Sequence, residues 1–172
     1  IERAWTQDSF SFAGKYFHIP ETAVVPKPFQ KPFPPFRIAA NSPETAAFAG
    51  ERGYSIFVAS PINPFPKLPE HIDIYREKFQ AAGHEQQKQG VAVLFPLYIG
   101  ESAEAIRQAV EPSFMHYFRT VSNQARLGQR DQSTSYAYLK EVRKRMDSIT
   151  WEEVDSTMAL YGPPEICIQK IR

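Results

Sequence analysis

Apolar and polar positions along the chain alternate between two periods. Residues 36–40, Phe-Arg-Ile-Ala-Ala, form a short, partly β-branched run bounded by prolines and read as a strand. Tyr54-Ser-Ile-Phe-Val-Ala59 is nearly all apolar, as expected of a strand buried on both faces. Val91 to Tyr98 gives a third such strand. Between them the spacing becomes helical. Ser42-Pro43-Glu44 supplies an N-cap, a first-turn proline and a carboxylate suited to the positive helix end, and Gly53 supplies a left-handed stop. Leu68, Ile72, Tyr75, Phe79 and Ala82 recur at intervals of four and three, and Gly83 closes that helix. Ser102 caps a long helix with Ile106, Val110, Phe114 and Phe118 on one face, and Pro112 marks a kink position.

The flanks follow different rules. Residues 9–19 alternate aromatic and small side chains around Ala13-Gly14-Lys15, a β-hairpin signal. Six prolines from Pro20 to Pro35 exclude a helix or an inner strand, so an extended surface connector is expected there. Residues 127–135 are polar and loop-like, and Tyr136, Leu139, Val142 and Met146 mark a further helix. Thr150-Trp-Glu-Glu153 is a capping box, and Tyr161-Gly-Pro-Pro164 breaks the chain before a last helix.

Strand and helix alternate three times, the pattern of βαβ units and a parallel sheet. Three strands leave open edges and little core, and a (β/α)8 barrel takes about 250 residues. At 172 residues the chain is therefore expected to be part of a barrel. It begins with Ile1, without a capping residue, and ends in an unterminated helical pattern, so residues 1–172 read as a fragment cut at both ends.

Charge narrows the partners. Twenty basic and 19 acidic residues leave a net charge of +1, which points to neither nucleic acid nor an acidic membrane surface. The longest apolar stretch, 91–99, is far short of the about 20 residues of a spanning helix. The single cysteine, Cys167, excludes an intrachain disulfide and suits a reducing, cytoplasmic location. His18, His71, His84 and His116 lack metal-ligand spacing and read as surface or packing residues, with no metal site expected.

One ordered set of motifs is specific. Trp5-Thr6 ends a helix, and Phe12-Ala-Gly14-Lys-Tyr16 forms the hairpin core. Pro26-Lys-Pro28-Phe-Gln30-Lys-Pro32 connects, and a strand runs into Asn41-Ser42-Pro43-Glu44. Together these resemble the bacterial luciferase-like flavin-dependent monooxygenases, and Tyr161-Gly-Pro-Pro-Glu165 resembles that family's Gly-x-Pro-Glu helix start. The resemblance implies a partial (β/α)8 TIM barrel, about strands five to seven with their helices, plus a short β-hairpin insertion. It further implies an α/β oxidoreductase, a monooxygenase using reduced FMN and O2 on a small organic substrate. A separate flavin reductase and a homodimer of the intact protein go with it. A deazaflavin-dependent reductase or dehydrogenase of the same fold, or a non-catalytic flavin-binding homologue, are the alternatives.

The same resemblance places Asn41, Ser42 and Thr45 at the flavin and its phosphate, and Ser60 beside the isoalloxazine ring. Luciferase has Glu at the Asn41 position and a bulky aromatic at the Ser60 position. A helix start with free N–H groups and hydroxyls suits a phosphate. The family's catalytic His and its other phosphate-binding arginines belong to the first half of the barrel, so no catalytic residue is assigned here. Pro61, Phe65, Phe95 and Tyr98 sit where the second and third strands end, and suit either an apolar substrate rim or ordinary loop packing.

Overall fold

The computed structural model describes residues 1–127 and 137–171, with side chains described outside 124–142. Much of the expected polar loop at 127–135, and the side chains of Tyr136, Leu139 and Val142, lie outside the described residues. Two compact units divide the chain, 1–36 and 37–172.

The first unit holds α1 (Glu2–Thr6), β1 (Phe10–Ala13) and β2 (His18–Thr22). The two strands pair antiparallel, Phe12 opposite Ile19 and Ala13 opposite His18. The hairpin thus includes Pro20, which a two-stranded ribbon tolerates because one edge of each strand is unpaired. Residues 23–36 carry no regular structure, as their prolines require. The indole of Trp5 stacks on Phe36 at 5.3 Å, and Phe33 packs against Phe36 at 5.4 Å. Lys27 Nζ donates to the carbonyls of Ala4 and Gln7, groups that the end of α1 leaves unpaired.

The second unit begins with β3 (Arg37–Ala39), α2 (Pro43–Arg52), β4 (Ser55–Ala59), α3 (Leu68–Ala81) and β5 (Val91–Leu94). These form a parallel sheet in the order β3-β4-β5. Gly53, at φ 72°, ends α2 in the left-handed conformation. Ile56 and Val58 turn toward the helices and pack with Ala46, Ala49, Leu68, Tyr75 and Phe79 in one core. Burial on both strand faces is not what the structure shows: Phe57, on the opposite face, is 38% exposed.

The third expected strand is two strands. After β5 the chain leaves the ladder at Phe95-Pro96, and β6 (Leu97–Ile99) pairs parallel with β7 (Leu160–Gly162). Pro96 has no N–H to continue the ladder, while its carbonyl accepts from Leu160 N at 2.8 Å. The three residues of β7 are too few for a period to show, and Tyr161-Gly-Pro-Pro164 marks only a chain break in the sequence. Helices α4 (Ala103–Leu127), α5 (Ala137–Ser148), α6 (Trp151–Thr157) and α7 (Pro164–Ile171) complete the unit. Ser102 and Thr150 cap α4 and α6 as expected. Ile106, Phe118, Met146, Trp151, Val154 and Tyr161 form a second core. No described helix is long and apolar enough to cross a membrane.

Candidate functional site

The carboxyl ends of β3 and β4 bring the predicted residues to one edge of the sheet. Ser42 is extended, at φ −136° and ψ 155°, and its Oγ accepts from Thr45 N at 3.3 Å. Ser42 Oγ and Thr45 Oγ1 share a hydrogen bond at 3.1 Å. The two hydroxyls therefore sit together on the first turn of α2, where the helix end is electropositive. Glu44 lies on the same turn. Hydrogen bonds from its own backbone N–H and from Ser42 hold its carboxyl below the usual range, although the side chain is in solvent.

Asn41 precedes this turn. Its Oδ1 is buried without a hydrogen-bond partner among the described residues. Buried polar atoms are rarely left so. A half-turn of the amide exchanges its oxygen for the NH2 group, so the same place can present a donor. The Asn41 carbonyl accepts from Asn63 Nδ2 at 3.3 Å.

Ser60 ends β4 and is fully buried. Its backbone N–H donates to Leu94 O at 3.1 Å, and its hydroxyl donates to the Met158 carbonyl. Ser60 thus joins the sheet edge to the second core, and the loop it opens returns to Asn41 through Asn63. The Ile62 carbonyl of that loop accepts from Arg145.

Two residues here carried no sequence signal. Asn63 is buried within a proline-rich loop, where nothing in spacing marks it. His71, read as a surface or packing residue, is buried on α3, and its Nδ1 has no hydrogen-bond partner among the described residues. Burial pushes its pKa down, and the charges of Glu70 and Glu44 oppose that shift. The His71 imidazole is held toward its neutral form. His84 instead shares a hydrogen bond with the Glu51 carbonyl at 3.0 Å. Cys167 is buried, with Sγ 3.3 Å from the Leu160 carbonyl. Among the described residues no group of three or more His, Cys, Asp or Glu side chains is placed to hold a metal ion.

The apolar rim is only partly as expected. Pro61 and Phe95 line a cleft of about 580 Å³ together with Val110, Phe114, Tyr117 and Tyr161. Phe65 meets Phe95 edge to face at 5.3 Å but is not among the lining residues. Tyr98 is not among the lining residues. Tyr161 stacks on Trp151 at 5.6 Å, and burial raises its phenol pKa to about 12.

The chain is 28% identical over 124 residues to the oxygenase component of a flavin-dependent trigonelline monooxygenase from Acinetobacter baylyi, covering 69% of this chain and 33% of that protein. Among solved structures, the monooxygenase RslO1 from Streptomyces bottropensis superposes with a TM-score of 0.66 at 19% identity, over 99% of this chain and 46% of that one. The oxygenating constituent of 3,6-diketocamphane monooxygenase from Pseudomonas putida, solved with FMN, gives 0.60 at 19% identity, over 99% of this chain and 49% of that one. A coenzyme F420-dependent tetrahydromethanopterin reductase from Methanopyrus kandleri gives 0.66 at 15% identity, over 99% and 50%. The chain therefore spans about a third of the trigonelline monooxygenase component and about half of these solved chains. The model of the luciferase-like monooxygenases matches residues 1–172, and the chain belongs to that family.

Proposed function

We propose that the intact protein is a flavin-dependent monooxygenase that uses reduced FMN and O2 on a small organic substrate. In this reading residues 1–172 are the later part of a (β/α)8 barrel, and β3, β4 and β5 stand as its strands five, six and seven. One observation carries the cofactor assignment. The paired hydroxyls of Ser42 and Thr45 lie on the first turn of α2, next in sequence to Asn41, whose buried Oδ1 has no hydrogen-bond partner among the described residues. That donor set fits a phosphate: two hydroxyls, a neutral amide and a positive helix end. Glu44 is in solvent, but its carboxyl takes hydrogen bonds from its own N–H and from Ser42, so an incoming anion has to displace it.

When bound, reduced FMN supplies the electrons for O2 reduction, chemistry that no amino-acid side chain offers. The chain's own residues bind and orient. Ser42, Thr45 and Asn41 fix the phosphate end. Ser60, immobilised at its hydroxyl and its N–H, holds the sheet edge beside the ring. The cleft offers the substrate a mostly apolar wall. A separate reductase supplies the reduced flavin, in keeping with the trigonelline relative being an oxygenase component. A homodimeric, cytoplasmic protein belongs to the same proposal.

A deazaflavin-dependent oxidoreductase is the second reading, favoured by fold likeness to F420-dependent enzymes such as a secondary alcohol dehydrogenase. The experiment is a titration of the intact protein with FMN and riboflavin. Replacing Ser42 and Thr45 by Ala weakens FMN binding more than riboflavin binding, and equal losses would remove the phosphate role. Oxygen uptake with reduced FMN, set against oxidation of reduced F420, separates the two cofactors. Flavin binding with neither activity identifies a non-catalytic binding protein.

A further inference from the structure

We infer that the cleft between β5 and α4 is the substrate subsite, and that it takes an uncharged compound built on an aromatic or similarly flat apolar ring. The inference rests on the monooxygenase reading for the word substrate, but the site itself stands on its own geometry.

The cleft measures about 580 Å³, within the roughly 300–1,000 Å³ typical of small-molecule sites. None of its lining residues is charged. An ionised ligand would find no counter-ion there to offset whatever hydration it gives up. The walls are rings: Phe95 from the strand end, Phe114 and Tyr117 from α4, and Tyr161 from β7. Phe114 meets Tyr161 edge to face at 5.8 Å and stacks with Tyr117 at 5.8 Å, so these rings already hold one another in place. Offset and edge-on ring contacts favour a flat aromatic guest. Ser113 and the two tyrosines are the lining residues with hydroxyls, enough to orient a single polar substituent.

Position joins this cleft to the proposed flavin site. Pro61 lines the cleft, Ser60 precedes it, and Asn63 of the same loop holds the Asn41 carbonyl. One short loop therefore borders both sites. Sites of parallel α/β proteins collect at the carboxyl ends of their strands, where this loop lies.

The test uses the intact, flavin-free protein and two probes, 2-naphthol and 2-naphthoate, followed by calorimetric titration. We expect 2-naphthol to bind and 2-naphthoate to bind at least tenfold more weakly. Ala109→Trp and Ser113→Trp fill the cleft from exposed positions of α4, and melting curves check that each variant folds. Either should weaken 2-naphthol at least tenfold. Unchanged 2-naphthol binding in both folded variants, or equal binding of the two probes, would overturn the inference. A parallel FMN titration separates the two readings. Retained, Trp-sensitive 2-naphthol binding without FMN binding keeps the cleft and removes the flavin. FMN binding without 2-naphthol binding does the reverse.

Discussion

The side-chain amide of Asn63 donates to the main-chain carbonyl of Asn41 across 3.3 Å, tying the loop after β4 to the turn that ends β3. Asn63 is 3% exposed, so water cannot readily replace it. Asn63→Ala should destabilise the protein by about 1–3 kcal/mol, the cost of an unpaired buried polar group. It should also weaken FMN binding, because the Asn41 turn loses its brace. Denaturant melts and flavin titration check both effects, and an unchanged melting midpoint would show that the brace is dispensable.

Glu44 places a negative charge where a phosphate is proposed to sit. Glu44→Gln should therefore tighten FMN binding and leave riboflavin binding nearly unchanged. Fluorescence titration with both flavins reads the difference. Equal effects on the two ligands would mean that the phosphate lies elsewhere.

Gly50 sets how closely α2 and α3 approach. A Cβ there would stand 2.6 Å from the Tyr75 carbonyl oxygen and 2.8 Å from Lys78 Cβ. In an open helix, Ala in place of Gly gains about 1 kcal/mol. Here overpacking, typically about 1–3 kcal/mol, opposes that gain, and the contact is with backbone, which yields least. Gly50→Ala should lower the melting temperature. A higher one would show that the helices can separate at little cost.

Tyr161 makes a pH prediction. Its folded pKa is raised from 10 to about 12 by burial, with the Asp155 charge adding to the shift. Above pH 10 the unfolded chain releases the phenolic proton and the folded one retains it. The folded state's advantage at Tyr161 is thus complete below pH 10 and lost as pH rises toward 12. Tyr161→Phe should flatten the fall in melting temperature over that window. An identical slope in the variant would contradict it.

Much of the sheet was legible because its signals are local. Ser42-Pro43 and Gly53 bracket α2 by cap chemistry, and Leu68, Tyr75 and Phe79 mark the buried face of α3 by spacing. The break at Phe95-Pro96 was harder to read. Proline forbids the ladder hydrogen bond, but whether the chain ends, bulges or changes partner depends on β7, some 60 residues away. The site divides in the same way. Ser42 and Thr45 announce themselves as a helix start. Asn63 and His71 become notable only when the fold buries them, and burial depends on distant contacts that no window of sequence contains.

The change of partner at Pro96 has a further consequence. One wall of the cleft belongs to the strand-end side and the other to the core built on α4, α6 and β7. Within this one unit, the cavity thus lies between two hydrophobic cores rather than inside either. Positions such as Ala109 and Ser113 line it without filling either core. They can change size with little loss of folding stability, so ligand preference is free to drift while the scaffold stays the same.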